Sequence, residues 1–248
     1  MTNLRRRVFA LFTIATVLFC TAVGAWQLHR LEWKRGLIAE RAAAAAASPI
    51  APPQTLAEAR LLEFRRVVAE GVFLHDRELF LNASGPNGGA GFDVLTPLRE
   101  TGGRIVFVNR GFVLTALRDR AKRPSSQPAG AVQVTGRLRL PPDKKPGWFL
   151  PDNNPERNYW FWIDLPAMAA AAGVAAGVTP GVSEVAPFHI EADTAATPGG
   201  WPRSRVTSQP LSNDHLQYAI TWFSFAGAAL IIFVLSQRQT KAAKRDLG

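Results

Sequence analysis

Two long uncharged apolar runs, one near each end of the chain, dominate its hydrophobic pattern. The first extends from Val8 to Trp26 and the second from Tyr218 to Leu235. Because an α-helix rises about 1.5 Å per residue, a run of about 18 residues reaches roughly 27 Å, close to the thickness of a bilayer core. The pattern therefore predicts two transmembrane helices, over residues 8–28 and 214–236.

Basic residues flank both runs on the side away from the middle of the chain. Arg5–Arg7 precede the first run, and the tail over residues 237–248 carries four cations after the second: Arg238, Lys241, Lys244 and Arg245. Positive residues accumulate on the cytoplasmic side of a membrane. We therefore predict that both termini are cytoplasmic and that the middle of the chain lies outside.

A cleavable signal peptide is the alternative for the first run, since Val23-Gly24-Ala25 resembles a cleavage site. The apolar stretch is longer than the usual 7 to 15 residues of a signal peptide and ends in tryptophan, which favours a retained anchor. No amphipathic transit peptide precedes it. We predict a bacterial inner-membrane protein whose middle segment is periplasmic.

Residues 29–63 are predicted to form a helical extension and a linker. The alanine run Ala42–Ala47 favours continuation of the first helix, and Ser48-Pro49 ends it. Pro52-Pro53 makes a stiff connection. Thr55 with Glu58 has the spacing of a capping box and predicts a short helix to about Leu62.

Short strands and turns predict a β-rich domain over residues 64–192, followed by a loop over 193–213. Asp164 is expected to cap a short helix that ends near Gly173. So few helices between strands favour an antiparallel, barrel-like α+β domain that folds without the two spans. The predicted strands are Arg65–Phe73, Glu78–Asn82, Gly91–Leu98, Arg104–Val113, Val132–Leu140, Tyr159–Ile163 and Phe188–Glu191.

The charge and the sulfur content exclude several classes of partner. The net charge is +10, but from Arg30 to Gln217 there are 22 basic and 18 acidic residues, so most of the excess flanks the membrane. A nucleic-acid-binding protein needs a basic face on its folded part, and none is expected here. A single cysteine, Cys20, rules out a disulfide framework. With only two methionines, delivery of copper or zinc is disfavoured.

The chain lacks the motifs that a hydrolase would need. Neither G-x-S-x-G nor H-E-x-x-H occurs, and the four histidines are scattered, so we predict that the protein is not an enzyme. Asn109 and Arg110, at the end of an apolar strand, could bind a carboxylate or a partner protein. They could equally satisfy backbone groups at a turn.

His215 is the most promising candidate ligand, because it stands just before the second apolar run, at the predicted outer interface. Tyr218 and Trp222 would form the aromatic edge there. Trp26, Arg30 and Lys34 share one face of the first helix, and a bound anion would explain cations on the outer side. His29 lies at a similar depth and is a second candidate ligand. The alternative for His215 is an interfacial polar residue that ends a helix.

Four motifs in this order resemble the surfeit locus protein 1 family of cytochrome c oxidase assembly factors. They are W-Q-x-x-R at Trp26–Arg30, V-N-R-G at Val108–Gly111, P-D-N-x-P at Pro151–Pro155 and N-x-H-x-x-Y-x-x-T-W-F at Asn213–Phe223. The chain departs from the family in Phe112-Val113-Leu114, where Trp-Val-Pro is usual. The resemblance implies a role in building subunit I of haem-copper oxidases, with haem a bound transiently at His215 and passed on.

A haem at the outer interface needs an axial imidazole, an apolar slot and cations for its propionates. His215 would supply the imidazole, Arg30 and Lys34 the cations, and the facing spans, with Trp26, Tyr218 and Trp222, the slot. The main alternative is a cofactor-free membrane scaffold that binds oxidase subunits or haem a synthase. A membrane-anchored enzyme is the weakest hypothesis.

Overall fold

A computed structural model describes residues 3–85, 88–177, 179–193, 200–204 and 213–245. The chain divides into two compact units, residues 1–40 with 210–248 and residues 41–209. Most of the predicted loop over 193–213, and residues 246–248 of the predicted basic tail, lie outside the described residues. The first unit consists of helices and the second is a β domain.

The two predicted candidate membrane-spanning helices are present as α1, Asn3–Ala46, and α4, His215–Arg245. By length and composition, both could cross a membrane, with mean hydropathies of 2.2 and 2.1 in their most apolar windows. α1 continues without a break through the alanine run, as predicted. It stops at Ala46, just before Ser48-Pro49.

The two helices pack antiparallel within their unit. Arg6 donates to Gln237 at 2.7 Å, and the rings of Phe19 and Trp222 meet edge to face at 5.8 Å. Small side chains line the contact, a property typical of helix pairs in membranes. The buried ones include Thr13, Cys20, Ala219 and Ala226. A Cβ on Gly24 would lie 2.8 Å from the ring of Phe223, so a larger residue there would require that ring to move.

The β domain contains six strands, of which five close into a barrel. Around the barrel the order is β1, β5, β6, β4, β3 and back to β1, and β2 adds to the outer side of β3. The closed barrel-like sheet predicted from the sequence is confirmed. The strands are β1 Arg66–Phe73, β2 Leu79–Ser84, β3 Ala90–Arg99, β4 Arg104–Leu114, β5 Ala131–Arg139 and β6 Glu184–Ala192.

One strand pair corrects the prediction of an antiparallel sheet, because β4 and β6 run parallel. The chain between them forms β5 and a helix, α3 (Leu165–Ala171), and returns to the barrel in the direction of β4. The resulting order is that of a five-stranded Greek-key barrel of the OB-fold kind. All other pairs are antiparallel in the described part of the chain.

Apolar side chains from alternate positions of β4 fill two separate cores. Val106 and Val108 point into the barrel, whereas Ile105 and Phe107 pack outside it. α3 and Trp160 cover that outer face, which explains why this strand is an almost continuous apolar run instead of an alternating one. The barrel core also contains Val67, Ala69, Leu98, Val134, Leu138, Phe188 and Ile190.

Two short helices begin with the predicted caps. In α2, Leu56–Leu61, the Thr55 hydroxyl accepts from the Glu58 amide at 3.2 Å, and the Glu58 carboxylate accepts from the Gln54 amide at 2.9 Å. In α3, the Asp164 carboxylate accepts from the Ala167 amide at 3.1 Å. Each cap satisfies amides that the first helical turn leaves without a partner.

The strand predicted over Tyr159–Ile163 is wrong, although its second residue, Trp160, is fully buried. An asparagine side chain occupies the backbone groups that a strand neighbour would need. Asn153 Oδ1 accepts from the amides of Phe161 and Trp162, at 2.8 and 3.2 Å, and its Nδ2 donates to the Trp162 carbonyl. Side-chain-to-backbone bonding of this kind replaces a ladder and is not visible in hydrophobic periodicity.

We expect Gly111→Ala to lower the free energy of unfolding by at least about 2 kcal/mol. Gly111 has a φ of +109°, and an added Cβ would lie 2.2 Å from the carbonyl oxygen of Arg203, which pairs with Phe112. Gly102→Ala is the control, since a Cβ there has no atom within 4 Å. Thermal unfolding of the full chain, followed by circular dichroism, measures both variants; equal melting temperatures would contradict this account of Gly111.

Candidate functional site

His215 stands at the first position of α4 and makes its described hydrogen bond with the other helix. Its Nδ1 lies 2.8 Å from Oε1 of Gln27 on α1. An amide oxygen only accepts, so Nδ1 carries the proton in this arrangement. In the neutral form of this tautomer, the second ring nitrogen, Nε2, carries the lone pair. A neutral imidazole fixed in this way is the form that binds a metal or a haem iron.

Arg30 and Lys34 lie on the same side of α1 as Gln27, three and seven positions further on. Residues at these spacings are neighbours on one helix face. They therefore follow Gln27 along α1 by roughly 5 and 10 Å. The Arg30 guanidinium rests 3.9 Å from the ring centroid of Trp33, and Arg30 is exposed. Both cations are thus on the face that carries the partner of His215.

The predicted aromatic residues divide into one packed and two exposed side chains. Trp222 follows His215 by seven positions, on the same face of α4, and packs against Phe19. Tyr218 is 55% exposed and Trp26 is 57% exposed. The exposed pair leaves apolar ring surface available near His215 and Gln27.

The four histidines have four different environments. His29 is two positions from Gln27, about 200° around α1, so it points away from the face that holds His215. His75 lies in the β domain, with Nε2 3.1 Å from the carbonyl of Pro128. His189 is buried on the face of β6 opposite Phe188 and Ile190, outside the barrel core. Burial, with a smaller effect of Arg139, lowers the pKa of His189 to about 3 and keeps this ring neutral.

Arg110 was predicted to lie at the end of a strand. It lies instead in the interior of β4, where it belongs to a buried ion cluster. Its guanidinium donates to Glu78 at 3.3 Å and to the Ser126 carbonyl, and it lies 4.9 Å from the ring centroid of Phe73. Arg123 donates to both oxygens of the same carboxylate. Glu78 and Arg123 have side chains only 3% exposed.

The electrostatics of this cluster keep Glu78 ionised. Burial alone would raise its pKa, but hydrogen bonds from His75 and Arg123, with the charges of Arg123 and Arg110, outweigh that effect and lower it. The pKa of Arg110 is also lowered, mainly by burial. Two cations around one carboxylate can hold a fixed geometry, but every donor and acceptor named here is already used within the protein.

The neighbouring Asn109 satisfies the backbone of its own strand. Its Oδ1 accepts from the amide of Gly111 at 2.9 Å, an Asx-type contact. Gly111 then allows the backbone of Arg203 to approach. Each residue of the N-R-G motif therefore has a structural role. Asn109 accepts from a backbone amide, Arg110 forms a buried ion pair, and Gly111 allows another backbone segment to approach.

The asparagines after Pro151 are also engaged within the fold. Asn153 holds the segment around Trp162, as described above. Asn158 donates from Nδ2 to the Glu78 carbonyl at 2.7 Å, and its Oδ1 accepts from the Trp160 indole at 3.0 Å. The P-D-N-N-P turn is thereby tied to the same region as the ion cluster.

Sequence patterns missed Gln27, Glu78 and Arg123 as members of these sites. Gln27 lies inside the W-Q-x-x-R motif, and its place there was the only signal. For Glu78, the available signal was a single carboxylate at the edge of an apolar strand. Arg123 belongs to a basic segment with no periodicity, so only the folded chain identifies its role.

Comparison with known proteins adds an independent result. The model of the SURF1 family matches residues 14–227. A SURF1-like protein of Monosiga brevicollis is 34% identical over 245 residues, which cover 93% of this chain and 87% of that protein. Surfeit locus protein 1 of Homo sapiens is 34% identical over 83% of this chain and 70% of its own length. Its counterpart in Takifugu rubripes is 32% identical, with coverages of 83% and 87%.

We expect Glu78→Gln to destabilise the β domain by about 3–5 kcal/mol, because it leaves two buried guanidinium groups without a carboxylate. Glu70→Gln is the control, since Glu70 is exposed and bonded only by Gln133 among the contacts described. Denaturant unfolding of the full chain measures both variants.

The effect of Glu78→Gln should also depend on pH. A lowered pKa means that the stabilisation by Glu78 is fully present above its ordinary pKa of 4.5 and is lost as the pH falls through the folded value. The gap between wild type and Glu78→Gln should therefore narrow below pH 4.5. A gap that stays constant into acid would contradict the ionised assignment.

Proposed function

Because the chain belongs to the SURF1 family, whose members are known as cytochrome c oxidase assembly factors, we propose that it helps to build subunit I of a haem-copper oxidase by binding haem a and passing it on. In this proposal haem a is cargo and not a resident cofactor. The other partners would be haem a synthase, further assembly factors and the lipid around the helices.

The observation that carries the proposal is the hydrogen bond between His215 and Gln27. It orients the ring, so that in the neutral form Nε2 would be the nitrogen that binds iron. It also joins two of the family motifs, W-Q-x-x-R and N-x-H-x-x-Y, which lie almost the whole chain apart. A ring held in this way would serve as an axial ligand through Nε2.

The surrounding side chains fit the other demands of a haem. Arg30 and Lys34 follow Gln27 on one face of α1 and could pair with two propionates. Trp26 and Tyr218 offer exposed ring surface to a macrocycle, and Trp222 keeps α4 packed on Phe19. His29 points away from this face and has no role in the proposal. Asn109 and Arg110, a weaker candidate partner site, are engaged within the β domain.

We expect His215→Ala to abolish or grossly alter the haem a spectrum of the protein purified from cells that make haem a. Loss of the axial ligand removes an iron bond, whereas Arg30→Ala removes one charge-assisted contact worth roughly 1.5–3 kcal/mol and should only weaken retention. Gln27→Leu should weaken retention about 10–100-fold, as loss of a partner that orients a ligand does.

His29→Ala is the matched control, because it removes an imidazole at a similar depth of α1 on the opposite face. It should leave the Soret band and the haem stoichiometry unchanged. An unchanged Soret band in His215→Ala would contradict the proposed haem site. It would favour the cofactor-free scaffold that binds oxidase subunits or haem a synthase.

The membrane arrangement proposed with this function has both termini in the cytoplasm and the β domain in the periplasm of a bacterium. Its support is the two apolar helices and their basic outer flanks. In a bacterial host, alkaline phosphatase fused at Gly88 should be active, and the same enzyme fused after Gly248 should be inactive. Reversed activities would refute this orientation.

A further inference from the structure

The β domain has an open cavity of about 520 Å³ beside the buried ion cluster, and Glu78 of that cluster forms part of its wall. Phe80 of β2 and Ala116 supply apolar wall. The turn at Asn158 and the 3-10 turns that follow β4, Thr115–Leu117 and Arg120–Lys122, complete it. Its volume is within the range of small-molecule sites.

Arg118 lines this cavity and is held rigidly before any ligand arrives. Its Cζ lies 5.0 Å from the ring centroids of both Phe80 and Phe92 and 6.0 Å from that of Tyr159. Nη2 donates to the carbonyls of Arg157 and Asn158, at 2.8 Å each. Within the described part of the chain, Nε and Nη1 have no such bond. A guanidinium fixed in this way keeps free donors for a planar oxyanion.

The acidic groups around the cavity already have partners. Glu78 is bound by two arginines, Asp76 pairs with Arg77 at 3.0 Å, and Asp119 accepts from the Ala121 amide at 2.9 Å. Arg120 and Lys122 are exposed at the rim. Among the described residues, no carboxylate lies within ion-pair distance of Arg118, Arg120 or Lys122. With Arg77, Arg110 and Arg123 counted as the partners of Asp76 and Glu78, six cations and three carboxylates surround the cavity, so its net charge is positive next to apolar wall.

We propose that this cavity binds an oxyanion, a carboxylate or a phosphate, carried on an apolar body. The fixed guanidinium of Arg118 would donate to the oxyanion, and Arg120 and Lys122 would attract its negative charge at the rim. Phe80 would pack against the apolar part of the ligand. A free small molecule and the headgroup of an anionic lipid share this chemistry. The site uses none of the residues proposed to bind haem a, so each proposal can fail without the other.

The test is calorimetric titration of the full chain, in phosphatidylcholine nanodiscs, with phenyl phosphate. We expect saturable binding at one site that weakens as salt is added. Benzyl alcohol, which has a similar apolar body and no charge, should bind far more weakly. Absence of saturable binding by phenyl phosphate, or equal binding of the two probes, would overturn the proposal.

The decisive variant changes the rim and leaves the packed Arg118 in place. Arg120→Gln with Lys122→Gln should raise the Kd for phenyl phosphate at least about tenfold. The matched control, Arg60→Gln with Lys144→Gln, removes the same charge from exposed positions that do not line the cavity and should leave the Kd unchanged. Equal losses in the two double variants would show a general charge effect and overturn the site.

A second arm distinguishes the two sources of the anion. If a lipid headgroup is the natural occupant, nanodiscs that contain phosphatidylglycerol should weaken phenyl phosphate binding to the wild-type chain by competition. If the occupant is a soluble anion, the Kd should be the same in both kinds of nanodisc. Either result supports an oxyanion site and names its source.

Discussion

The buried carboxylate of Glu78 joins the segments on which the β domain depends. Glu78 lies between the 3-10 turn His75–Arg77 and the start of β2. Its carboxylate is nevertheless bound by Arg110 from β4 and by Arg123 from the connection to β5. Its own carbonyl accepts from Asn158, which also holds Trp160. A buried ion pair adds little stability compared with apolar packing, but breaking one is costly. The cluster therefore specifies which segments meet.

This constraint separates the family motifs into two groups. V-N-R-G and P-D-N-N-P supply turns and one arginine of the ion cluster, and the side chains of Asn109, Arg110 and Asn153 are engaged inside the fold. W-Q-x-x-R and N-x-H-x-x-Y meet in the helical unit, where the side chain of Gln27 forms a hydrogen bond with Nδ1 of His215. The β-domain motifs are thus explained by structure, and the residues proposed to bind haem a belong to the helices.

Local features of this fold could be predicted from sequence, and long-range features could not. Apolar runs located α1, α4 and most strands, and cap residues located α2 and α3, because these depend on neighbours in the chain. The parallel pair of β4 with β6 depends on how a long connection returns to the barrel. The segment around Trp160 is apolar enough for a strand, but the amide of Asn153 takes the bonds that a strand needs. The His215–Gln27 contact joins residues 188 positions apart, and no local pattern indicates it.

Transfer of haem a is the most direct test of the central claim, that this chain is a carrier for oxidase assembly. The chain would be purified from cells that make haem a and mixed with subunit I prepared without haem. The account predicts that the haem a absorbance leaves the carrier and follows subunit I when the two are separated, and that a His215→Ala preparation transfers none. A wild-type chain that purifies without haem a from cells that assemble active oxidase would contradict the account.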